Sequence, residues 1–332
     1  MKIAIVGATG LVGSVMLRVL EERGFGGEEV IAAASERSVG RKVPFAGREL
    51  TVTSVEEAIA QRPRFAIFSA GAGPSREYAP RFAAAGTTVI DNSSAWRKDV
   101  DKPLVVPEIN IDAVRPGDRI IANPNCSTIQ MVLAVSGLHA AYGIRRLVVS
   151  TYQSVTGTGM KAIRQLEREE RQGIAGDYPM AYPYPIHRNL FPLGGDFLPN
   201  DYTTEEQKLV DESRKILRDP SLLVCATVAR VPVTGGHSES VCLELKRPYD
   251  MAEAKRIVAE TPGVTLYDDP ATLKFPMPML TEGKDEVLVG RMRRDETVSN
   301  GLCLWITADN LRKGAATNAV QIMQALLKRA AL

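Results

Sequence analysis

The sequence predicts an α/β protein: an N-terminal doubly wound Rossmann-type dinucleotide-binding domain, followed by an α+β domain with a mainly antiparallel sheet. Three observations support this prediction. Short apolar runs alternate with amphipathic runs in the first third of the chain, the first apolar run leads into a glycine-rich turn, and strand-like runs follow one another after Cys126. The length of 332 residues suits about two domains. We place the first domain at residues 1–125 plus a C-terminal helix at 310–332, and the second at 126–309.

The elements of the first domain follow from the spacing of their apolar residues. Two amphipathic runs carry apolar residues at i, i+3 and i+4, so one face of each helix can cover the sheet. These predicted helices are Leu11–Glu22 and Ser75–Ala85. The predicted strands, which read as a buried parallel sheet, are Lys2–Val6, Val30–Ala34, Phe65–Phe68, Thr88–Asp91 and Ile120–Ala122.

The second domain has a different pattern, because its strands follow one another before helices intervene. The final run, Ala315–Leu332, is a helix that we expect to pack back on the first domain, and the irregular segment Tyr178–Pro199 is an interface arm or a lid. The predicted strands are Leu147–Tyr152, Val224–Val231, Ser240–Leu245, Val287–Arg291 and Leu302–Ala308. The predicted helices are Lys161–Arg171, Thr204–Leu217 and Met251–Ala259.

The composition is that of an ordinary globular protein, with 45% hydrophobic residues, 24% charged residues and a net charge of +2. Neither a nucleic-acid partner nor a membrane partner follows from it, and no apolar stretch approaches the ~20 residues of a membrane helix. The chain opens on a strand without a charged-then-apolar leader, so the expected location is the cytoplasm. Four scattered cysteines without a CxxC pair or a His/Cys cluster predict neither a disulfide framework nor a metal site.

The glycine-rich turn after the first strand reads Gly7-Ala8-Thr9-Gly10-Leu11-Val12-Gly13. Glycines there permit a tight turn and let backbone N–H groups approach a pyrophosphate at the positive end of the following helix. Strand before and helix after favour a dinucleotide site over a plain turn. Small residues needed on the other side of the cofactor are expected at Ser69, Ala70 and Gly71.

The second strand should end near the adenosine ribose, and it continues into Ser35-Glu36-Arg37-Ser38. An NAD site usually offers an acidic residue to the ribose 2′-hydroxyl, whereas Arg37 and Ser38 suit a 2′-phosphate. The sequence therefore favours NADP. Glu36 could still bind a 2′-hydroxyl, and Arg37 could belong to a solvated loop.

Cys126 follows Asn123-Pro124-Asn125 and opens an amphipathic helix. The helix dipole and the free N–H groups at this position lower the pKa of a thiol and favour the nucleophilic thiolate. Cys225, Cys242 and Cys303 lie inside apolar strand runs and are expected to be small buried hydrophobic residues. Only Cys126 has the sequence context of a nucleophile.

A thiolate beside a nicotinamide implies attack on an aldehyde, loss of hydride from the thiohemiacetal and a thioester, and this chemistry requires a general base. His139, late on the Cys126 helix, and His187, in the irregular segment, are expected to be structural or exposed. His237 follows Gly235 and Gly236 between two strands, where a side chain can face a cleft. Its residue context alone leaves a catalytic and a structural role equally open.

The chain resembles the aspartate-semialdehyde dehydrogenase family over nearly its whole length. The motifs that carry the resemblance are GATGLVG in the first turn, DNSSAWR at Asp91–Arg97, NPNCST around Cys126, TYQSVTGTG at Thr151–Gly159, RVPVTGGHSES from Arg230, and DNLRKGAATNAVQ near the end. It implies Cys126 as nucleophile, His237 as acid/base and Gln153 as the group that orients the thiohemiacetal. It also implies a substrate-binding set of Arg97, Arg230, Glu205 and Lys208, and cofactor contacts that include Ser154, Gly157 and Asn310.

The implied reaction is NADPH-dependent reduction of L-aspartyl-4-phosphate to L-aspartate-4-semialdehyde and phosphate, on the route to lysine, threonine and methionine, by a homodimer. Glu205 and Lys208 alone would read as an exposed i, i+3 pair, and Asn125 as either a helix N-cap or an active-site donor. One rival reading is an N-acetyl-gamma-glutamyl-phosphate reductase, which has a His-Pro-Gly-Cys nucleophile motif where this chain has Asn-Pro-Asn-Cys. The other is a non-catalytic cofactor-binding paralogue.

Overall fold

The structure is a computed structural model that describes residues 1–330. The chain forms two compact units: unit 1 contains Met1–Asn125 and the stretch from Ala315 onward, and unit 2 contains Cys126–Gly314. Residues 331 and 332, which belong to the predicted final helix, lie outside the described residues. Within residues 1–330, no helix is long and apolar enough to cross a membrane.

Unit 1 is built on a six-stranded sheet whose order is β5-β2-β1-β6-β7-β8 and whose neighbouring strands all run parallel. This arrangement confirms the predicted doubly wound sheet. The strands are β1 (Lys2–Val6), β2 (Glu29–Ala34), β5 (Thr53–Ser54), β6 (Phe65–Phe68), β7 (Thr88–Asp91) and β8 (Ile120–Ala122), with a separate hairpin of β3 (Lys42–Phe45) and β4 (Arg48–Thr51).

The sheet of unit 1 is buried on both faces, because alternate residues of its strands belong to two different hydrophobic clusters. Ile3 and Ile5 of β1 pack with Met16 in one cluster, whereas Ala4 and Val6 pack with Phe82 in the other. The helices that supply these contacts are α1 (Leu11–Leu20) and α3 (Ala72–Ala84), and two shorter helices are α2 (Val55–Ala60) and α4 (Pro107–Asn110).

Unit 2 is built on a second six-stranded sheet, ordered β10-β9-β11-β14-β13-β12. Its three central pairings are antiparallel and its two outer pairings are parallel, which confirms a mainly antiparallel sheet. The strands are β9 (Ile144–Gln153), β10 (Leu223–Arg230), β11 (His237–Leu245), β12 (Val264–Leu266), β13 (Val287–Asp295) and β14 (Gly301–Ala308).

One long helix lies against this second sheet and is buried along most of its length. This helix, α5 (Cys126–Tyr142), contacts strands β9, β11, β13 and β14. The other helices of unit 2 are α6 (Met160–Gln172), α7 (Thr204–Leu217), α8 (Met251–Glu260) and α9 (Pro278–Thr281). The final helix, α10 (Thr317–Ala330), contacts α1, α4, β6 and β7, and therefore packs within unit 1 as predicted.

Between α6 and α7 the chain has neither helix nor strand, in agreement with the predicted irregular segment. Part of it is held by the buried carboxylate of Glu169, at the end of α6. This carboxylate accepts four hydrogen bonds, at 2.7–2.8 Å, from Gln165 Nε2, the Tyr178 hydroxyl and the backbone N–H groups of Ile186 and His187. The segment is therefore anchored at one point by several hydrogen bonds.

Candidate active site

Three polar side chains converge at one edge of the sheet in unit 2. Gln153 and Arg230 are the last residues of β9 and β10, and because these strands are parallel and in register, the two residues lie side by side. His237 is the first residue of β11, which runs antiparallel to β9 and so begins at the same edge. The topology brings together three residues that are far apart in the sequence.

Cys126 joins this group from the first position of α5. Its Sγ atom lies 3.3 Å from Nε2 of His237, within contact distance for a hydrogen bond to sulfur. A Cβ atom on Gly314 would come within 2.9 Å of the Cys126 Cβ, so a glycine is required behind the cysteine. The structure thus pairs the predicted nucleophile with the predicted acid/base.

The His237 ring is completely buried, and its environment favours the neutral form. Burial, and then the positive charge of Arg230, lower the pKa of His237 well below its usual value, while a hydrogen bond with the Gly236 backbone acts in the opposite direction. Nδ1 accepts a hydrogen bond from the Ser154 backbone N–H at 3.0 Å. A neutral ring that accepts at Nδ1 carries its proton on Nε2, the atom that faces Cys126.

Gln153 is held by the first turn of the same helix that carries Cys126. Its Nε2 atom donates to the Ser127 hydroxyl at 2.9 Å, and its side chain is fully buried. Among residues 1–330, its Oε1 atom is buried without a hydrogen-bond partner. The amide is therefore fixed through its nitrogen and leaves an acceptor available.

Arg230 is buried and contacts an acidic residue of the neighbouring helix. Its Nη2 atom lies 3.4 Å from Oε2 of Glu205, and its Nη1 donates to the Ser154 carbonyl at 3.2 Å. Its Nε atom is buried without a partner among the described residues. Lys208, one turn further along α7, is half-buried. A carboxylate and a guanidinium group thus meet at the end of β10.

Gly157 leaves space beside this cluster. A Cβ atom at this position would lie 3.1 Å from Nη1 of Arg230 and 3.1 Å from Cε1 of His237, which is closer than most side chains tolerate. The loop that carries Gly157 is tied down because Thr156 donates its hydroxyl to Oδ1 of Asn310 at 2.8 Å and its backbone N–H to the Ser154 hydroxyl at 3.1 Å. Ser154 and Asn310 therefore help to set the shape of this loop.

Unit 1 contains a pocket of about 660 Å³ where the sequence predicts a dinucleotide site. Gly7 has φ +92°, and a Cβ there would come within 2.4 Å of the Ser69 carbonyl oxygen, so the close approach of these two turns requires glycine. Predicted residues that line the pocket are Gly7, Thr9, Gly10, Ser35, Arg37, Ser38, Ser69 and Ala70, together with Glu36.

The other predicted cofactor residues of unit 1 lie at helix starts. Leu11, Val12 and Gly13 form the first turn of α1, and a Cβ on Gly13 would collide with the Gly7 carbonyl oxygen at 2.1 Å. Gly71 has φ +88° and immediately precedes α3. These residues shape the turns around the pocket but do not line it.

Arg97 is also buried in unit 1, with its guanidinium held by the backbone. Nε donates to the Asn123 carbonyl and Nη2 to the Asn92 carbonyl, each at 2.9 Å. The orientation of the group is fixed by these contacts. Asn125 is buried directly before α5.

His139 and the three other cysteines lie away from the Cys126–His237 pair. His139 accepts the Ile144 backbone N–H at 3.2 Å and is structural, as expected. Cys303 is buried, but Cys242 is half-buried and Cys225 is exposed, so the prediction that all three are buried was wrong. The physical reason is that Cys225 and Cys242 both stand in register with Val148, on the face of the sheet opposite His237, where strand residues are partly open to solvent and alternate with buried ones.

Cys242 and Cys303 face each other across β11 and β14, with their Sγ atoms 3.2 Å apart. Together with Asp295 they form a group of three possible metal-ligand atoms within 4.8 Å. Burial, and then the neighbouring Cys242 thiol, raise the pKa of Cys303 to about 12. By strand alternation this group lies on the opposite face of the sheet from His237.

Sequence reasoning missed several neighbours of the predicted residues. Ser127 and Gln130, on the first turns of α5, contact Gln153 and the His237 backbone. Gly314 backs Cys126, and it stands inside the DNLRKGAATNAVQ motif, which could have singled it out. Glu239 is fully buried two residues after His237, although a charged residue in a strand usually reads as solvent-facing.

Comparison with known proteins places this geometry in a family. Residues 2–116 match the semialdehyde dehydrogenase NAD binding domain, and residues 135–313 match the semialdehyde dehydrogenase dimerisation domain. The chain is 48% identical to the aspartate-semialdehyde dehydrogenase of Aquifex aeolicus (strain VF5) over 333 residues, covering 98% of each protein. It is 44% identical to that of Bacillus subtilis (strain 168) over 339 residues, covering 98% of this chain and 97% of the relative.

A solved structure gives the same result for the fold. The crystal structure of aspartate semialdehyde dehydrogenase II from Vibrio cholerae matches with a TM-score of 0.94 and 44% identity, covering 98% of each chain. The matched domains support an NAD(P)-dependent oxidoreductase of amino-acid biosynthesis that acts on small molecules as a homodimer. With both domains matched and full-length relatives above 40% identity, the chain belongs to the aspartate-semialdehyde dehydrogenase family.

Proposed function

We propose that this protein catalyses the NADPH-dependent reduction of L-aspartyl-4-phosphate to L-aspartate-4-semialdehyde and phosphate, and the reverse oxidation, on the route to lysine, threonine and methionine. The observation that carries the proposal is the 3.3 Å contact between Cys126 Sγ and His237 Nε2 at the start of a buried helix. Relatives bearing this enzyme's name, and a Vibrio cholerae structure at 44% identity described as complexed with ASA, support the substrate class.

In the oxidising direction, the Cys126 thiolate adds to the aldehyde carbon and forms a thiohemiacetal. Loss of the carbon-bound hydrogen and of the hydroxyl proton gives a thioester on Cys126. A phosphate oxygen then attacks the thioester carbon, the carbon–sulfur bond breaks, and aspartyl phosphate leaves while the thiolate is restored. A dinucleotide held in the unit 1 pocket would supply the hydride-transfer chemistry in both directions.

His237 exchanges the hydroxyl proton of the thiohemiacetal in this proposal. With its proton on Nε2 the neutral ring can donate a hydrogen bond to negative charge on Sγ and then on the reacting oxygen. To accept the hydroxyl proton as a base, Nε2 must be unprotonated, so the neutral ring then carries its proton on Nδ1, next to the Gly236 backbone. Gln153, at the end of the adjacent strand β9, is proposed to orient the thiohemiacetal.

The charged residues are proposed to bind the ends of the substrate. Arg230 is suited to the α-carboxylate, because a guanidinium can grip a carboxylate with two parallel hydrogen bonds, and Glu205 is suited to the ammonium group. Arg97, with an orientation fixed by two backbone carbonyls, and Lys208 are proposed as phosphate contacts. Asn125 is proposed as a further substrate contact.

The residues present fit a dinucleotide, because the glycine-rich turn lines a pocket of about 660 Å³ and its close approach to the Ser69 backbone leaves no room for a Cβ atom on Gly7. We propose NADP as the cofactor, with Arg37 and Ser38 holding the 2′-phosphate at the pocket wall. Glu36 lines the same wall and is the residue that would favour NAD. Ser154, Gly157 and Asn310, on or beside one tethered loop of unit 2, are proposed as contacts of the nicotinamide half.

Each of the two parts of the chain is proposed to have its own function. We propose that residues 1–125 and the C-terminal helix bind the cofactor, and that residues 126–309 carry catalysis and dimerisation. The protein is proposed to work in the cytoplasm, and its four free cysteines suit a reducing compartment.

One assay separates the proposal from its alternatives. Purified protein is given NADP and phosphate with either aspartate semialdehyde or N-acetylglutamate semialdehyde, and NADPH formation is followed by absorbance. Phosphate-dependent turnover of aspartate semialdehyde is the expected result. Preference for the N-acetylated aldehyde would favour the glutamyl-phosphate reductase reading, and no turnover of either would favour a non-catalytic paralogue.

A further inference from the structure

A fully buried carboxyl group lies on the same strand as His237. Glu239 follows His237 by two residues on β11, so both side chains project from the same face of the sheet, and α5 contacts this strand. Thr151 of β9 lies directly opposite Glu239. A charged carboxylate is costly to bury without partners, so this position needs a physical explanation.

The neighbouring polar atoms indicate which form of the carboxyl group fits. Among residues 1–330, neither oxygen of Glu239 has a hydrogen-bond partner, and the same holds for Oγ1 of Thr151 and Oε1 of Gln130. Burial raises the pKa of Glu239 well above its usual value, and the adjacent Gln130 side chain opposes this rise more weakly. A carboxylic acid, unlike a carboxylate, has an O–H group that the unpaired Oε1 of Gln130 can accept.

Gln130 connects this group to the catalytic pair. Its Nε2 atom donates to the backbone carbonyl of His237 at 3.3 Å, which leaves Oε1 to accept from another group. His237 begins β11 directly after Gly235 and Gly236, whose backbones are conformationally flexible. A hydrogen bond to the His237 carbonyl therefore restrains the backbone at this point. Gln130 is thus placed to transmit a restraint from Glu239 to the ring that faces Cys126.

We propose that Glu239 is a positioning residue: it donates a hydrogen bond to Oε1 of Gln130, which in turn holds the carbonyl of His237 and so fixes the imidazole against the Cys126 sulfur. This inference rests on the proposed function only for the identity of the substrate used in its test. An apolar side chain would fill the same space without the cost of burying a carboxyl group.

The test compares Glu239→Gln, which keeps the shape and an N–H donor, with Glu239→Leu, which removes the donor. Val241→Ala, at the next inward position of the same strand, is the control for general destabilisation. Each variant is measured for kcat and KM with aspartate semialdehyde, for thermal unfolding, and for the pH dependence of Cys126 alkylation in a Cys225→Ser background.

We expect Glu239→Leu to lower kcat by about 10- to 100-fold, the usual cost of losing a group that orients a catalytic residue, with KM and Tm unchanged. Its Cys126 alkylation should require higher pH, since Nε2 no longer rests against the sulfur. Glu239→Gln should restore kcat to within about threefold of the wild type, a difference of under 1 kcal/mol in the barrier.

Three results would overturn the inference: Glu239→Leu retains kcat and the alkylation profile, Glu239→Leu loses Tm and kcat together as Val241→Ala does, or Glu239→Gln is as slow as Glu239→Leu. The alkylation readout does not involve the substrate. If the wild-type protein fails to turn over aspartate semialdehyde, the proposed function fails, while the alkylation profiles still decide the role of Glu239.

Discussion

The Nε2 atom of His237 lies 3.3 Å from the Sγ atom of Cys126, and the ring is held neutral by burial and by the charge of Arg230. Because the neutral ring presents its proton to the sulfur, it can support a thiolate without carrying a charge itself. The charge of Arg230 therefore influences the Cys126 sulfur through the protonation state of His237.

Cys126→Ser should bind cofactor normally but lose activity by several orders of magnitude, because a serine hydroxyl stays protonated near neutral pH and forms a poorer acyl donor. The measurement is NADPH formation together with mass spectrometry of the protein after aspartate semialdehyde and NADP are added without phosphate. The wild type should give at most a stoichiometric burst and an acyl adduct on the peptide that contains Cys126. Substantial activity in Cys126→Ser with no adduct in the wild type would contradict the covalent mechanism.

Alkylation of the thiols needs its own control, because Cys225 is exposed on an edge strand. In a Cys225→Ser background, iodoacetamide should modify Cys126 far faster than Cys242 or Cys303, and substrate should protect it. The raised pKa of Cys303 makes that thiol a slow competitor. Equal rates at all remaining thiols would mean that the helix start does not activate Cys126.

His237→Asn should slow turnover by about 10²–10⁴-fold, the range for loss of a general acid/base, while Cys126 is still alkylated. In the wild type, the lowered pKa means that the ring stays neutral as the pH falls through 6.5, so the rate of oxidation should decline only below that value. The check is a pH profile of kcat at saturating substrate. In Arg230→Gln the acid limb of the profile should move to higher pH, because one cause of the lowered His237 pKa has been removed. An unmoved limb would show that the charge of Arg230 does not affect the protonation of His237.

Arg230→Lys should be a damaging substitution, since a lysine cannot reproduce a bidentate grip on the substrate carboxylate. We expect kcat/KM to fall by about 10-fold or more, as for loss of a charge-assisted hydrogen bond of ~1.5–3 kcal/mol. Succinic semialdehyde, which keeps the carboxylate but lacks the ammonium group, is a suitable second substrate and should show the same relative loss. A near-wild-type Arg230→Lys enzyme would show that the carboxylate is bound elsewhere.

Gly157→Ala should lower kcat by about 10-fold with little change in stability, because the added methyl group presses on both Arg230 and His237 from 3.1 Å. Steady-state kinetics and thermal unfolding of the same sample provide the measurement. Gly159→Ala is not a suitable control, because Gly159 has φ +93° and an alanine at this position would strain the backbone. Unchanged kcat in Gly157→Ala would mean that the two side chains can shift without cost.

Arg37→Ala should raise the KM for NADP by about 10-fold or more, from the loss of a charge-assisted contact of ~1.5–3 kcal/mol, and should leave the NAD kinetics nearly unchanged. Both cofactors are compared under identical conditions, with Glu36→Gln as the matched variant on the same pocket wall. Equal weakening of NADP and NAD would assign Arg37 a structural role.

Local patterns predicted the parts of this protein that depend on local physics. The Gly7–Gly13 turn and the helix start at Cys126 could be read from residue types in order, and both are present. The β3–β4 hairpin was not predicted, because its strands are short and largely exposed and contain Pro44. The start of β11 was placed at Ser240 rather than His237, since buried polar residues break the alternation on which strand prediction depends.

The sequence did not predict contacts between residues that are far apart along the chain, because such contacts do not depend on local patterns. Nothing in the apolar run around Cys225 indicates that its strand lies at a sheet edge, and nothing near Glu239 indicates that it is covered by α5. The proximity of Gln153, Arg230 and His237 depends on strand order. The sequence does not specify that order, because it does not show which strands pair with each other. The roles predicted for these three residues came from the family resemblance, whereas their closeness in space follows from the sheet topology.

The four hydrogen bonds on Glu169 give the irregular segment an all-or-none character. Burial works against the charged form, but the bonds from the His187 N–H, Gln165, Tyr178 and Ile186 outweigh it and lower the pKa of Glu169. Because Tyr178, Ile186 and His187 are tethered to one carboxylate, the amides of this first part of the segment should become accessible to hydrogen exchange in a single concerted opening rather than by gradual fraying. The rate of such an opening, and not the strength of any one contact, would then set how quickly a protease could cut the chain between α6 and α7.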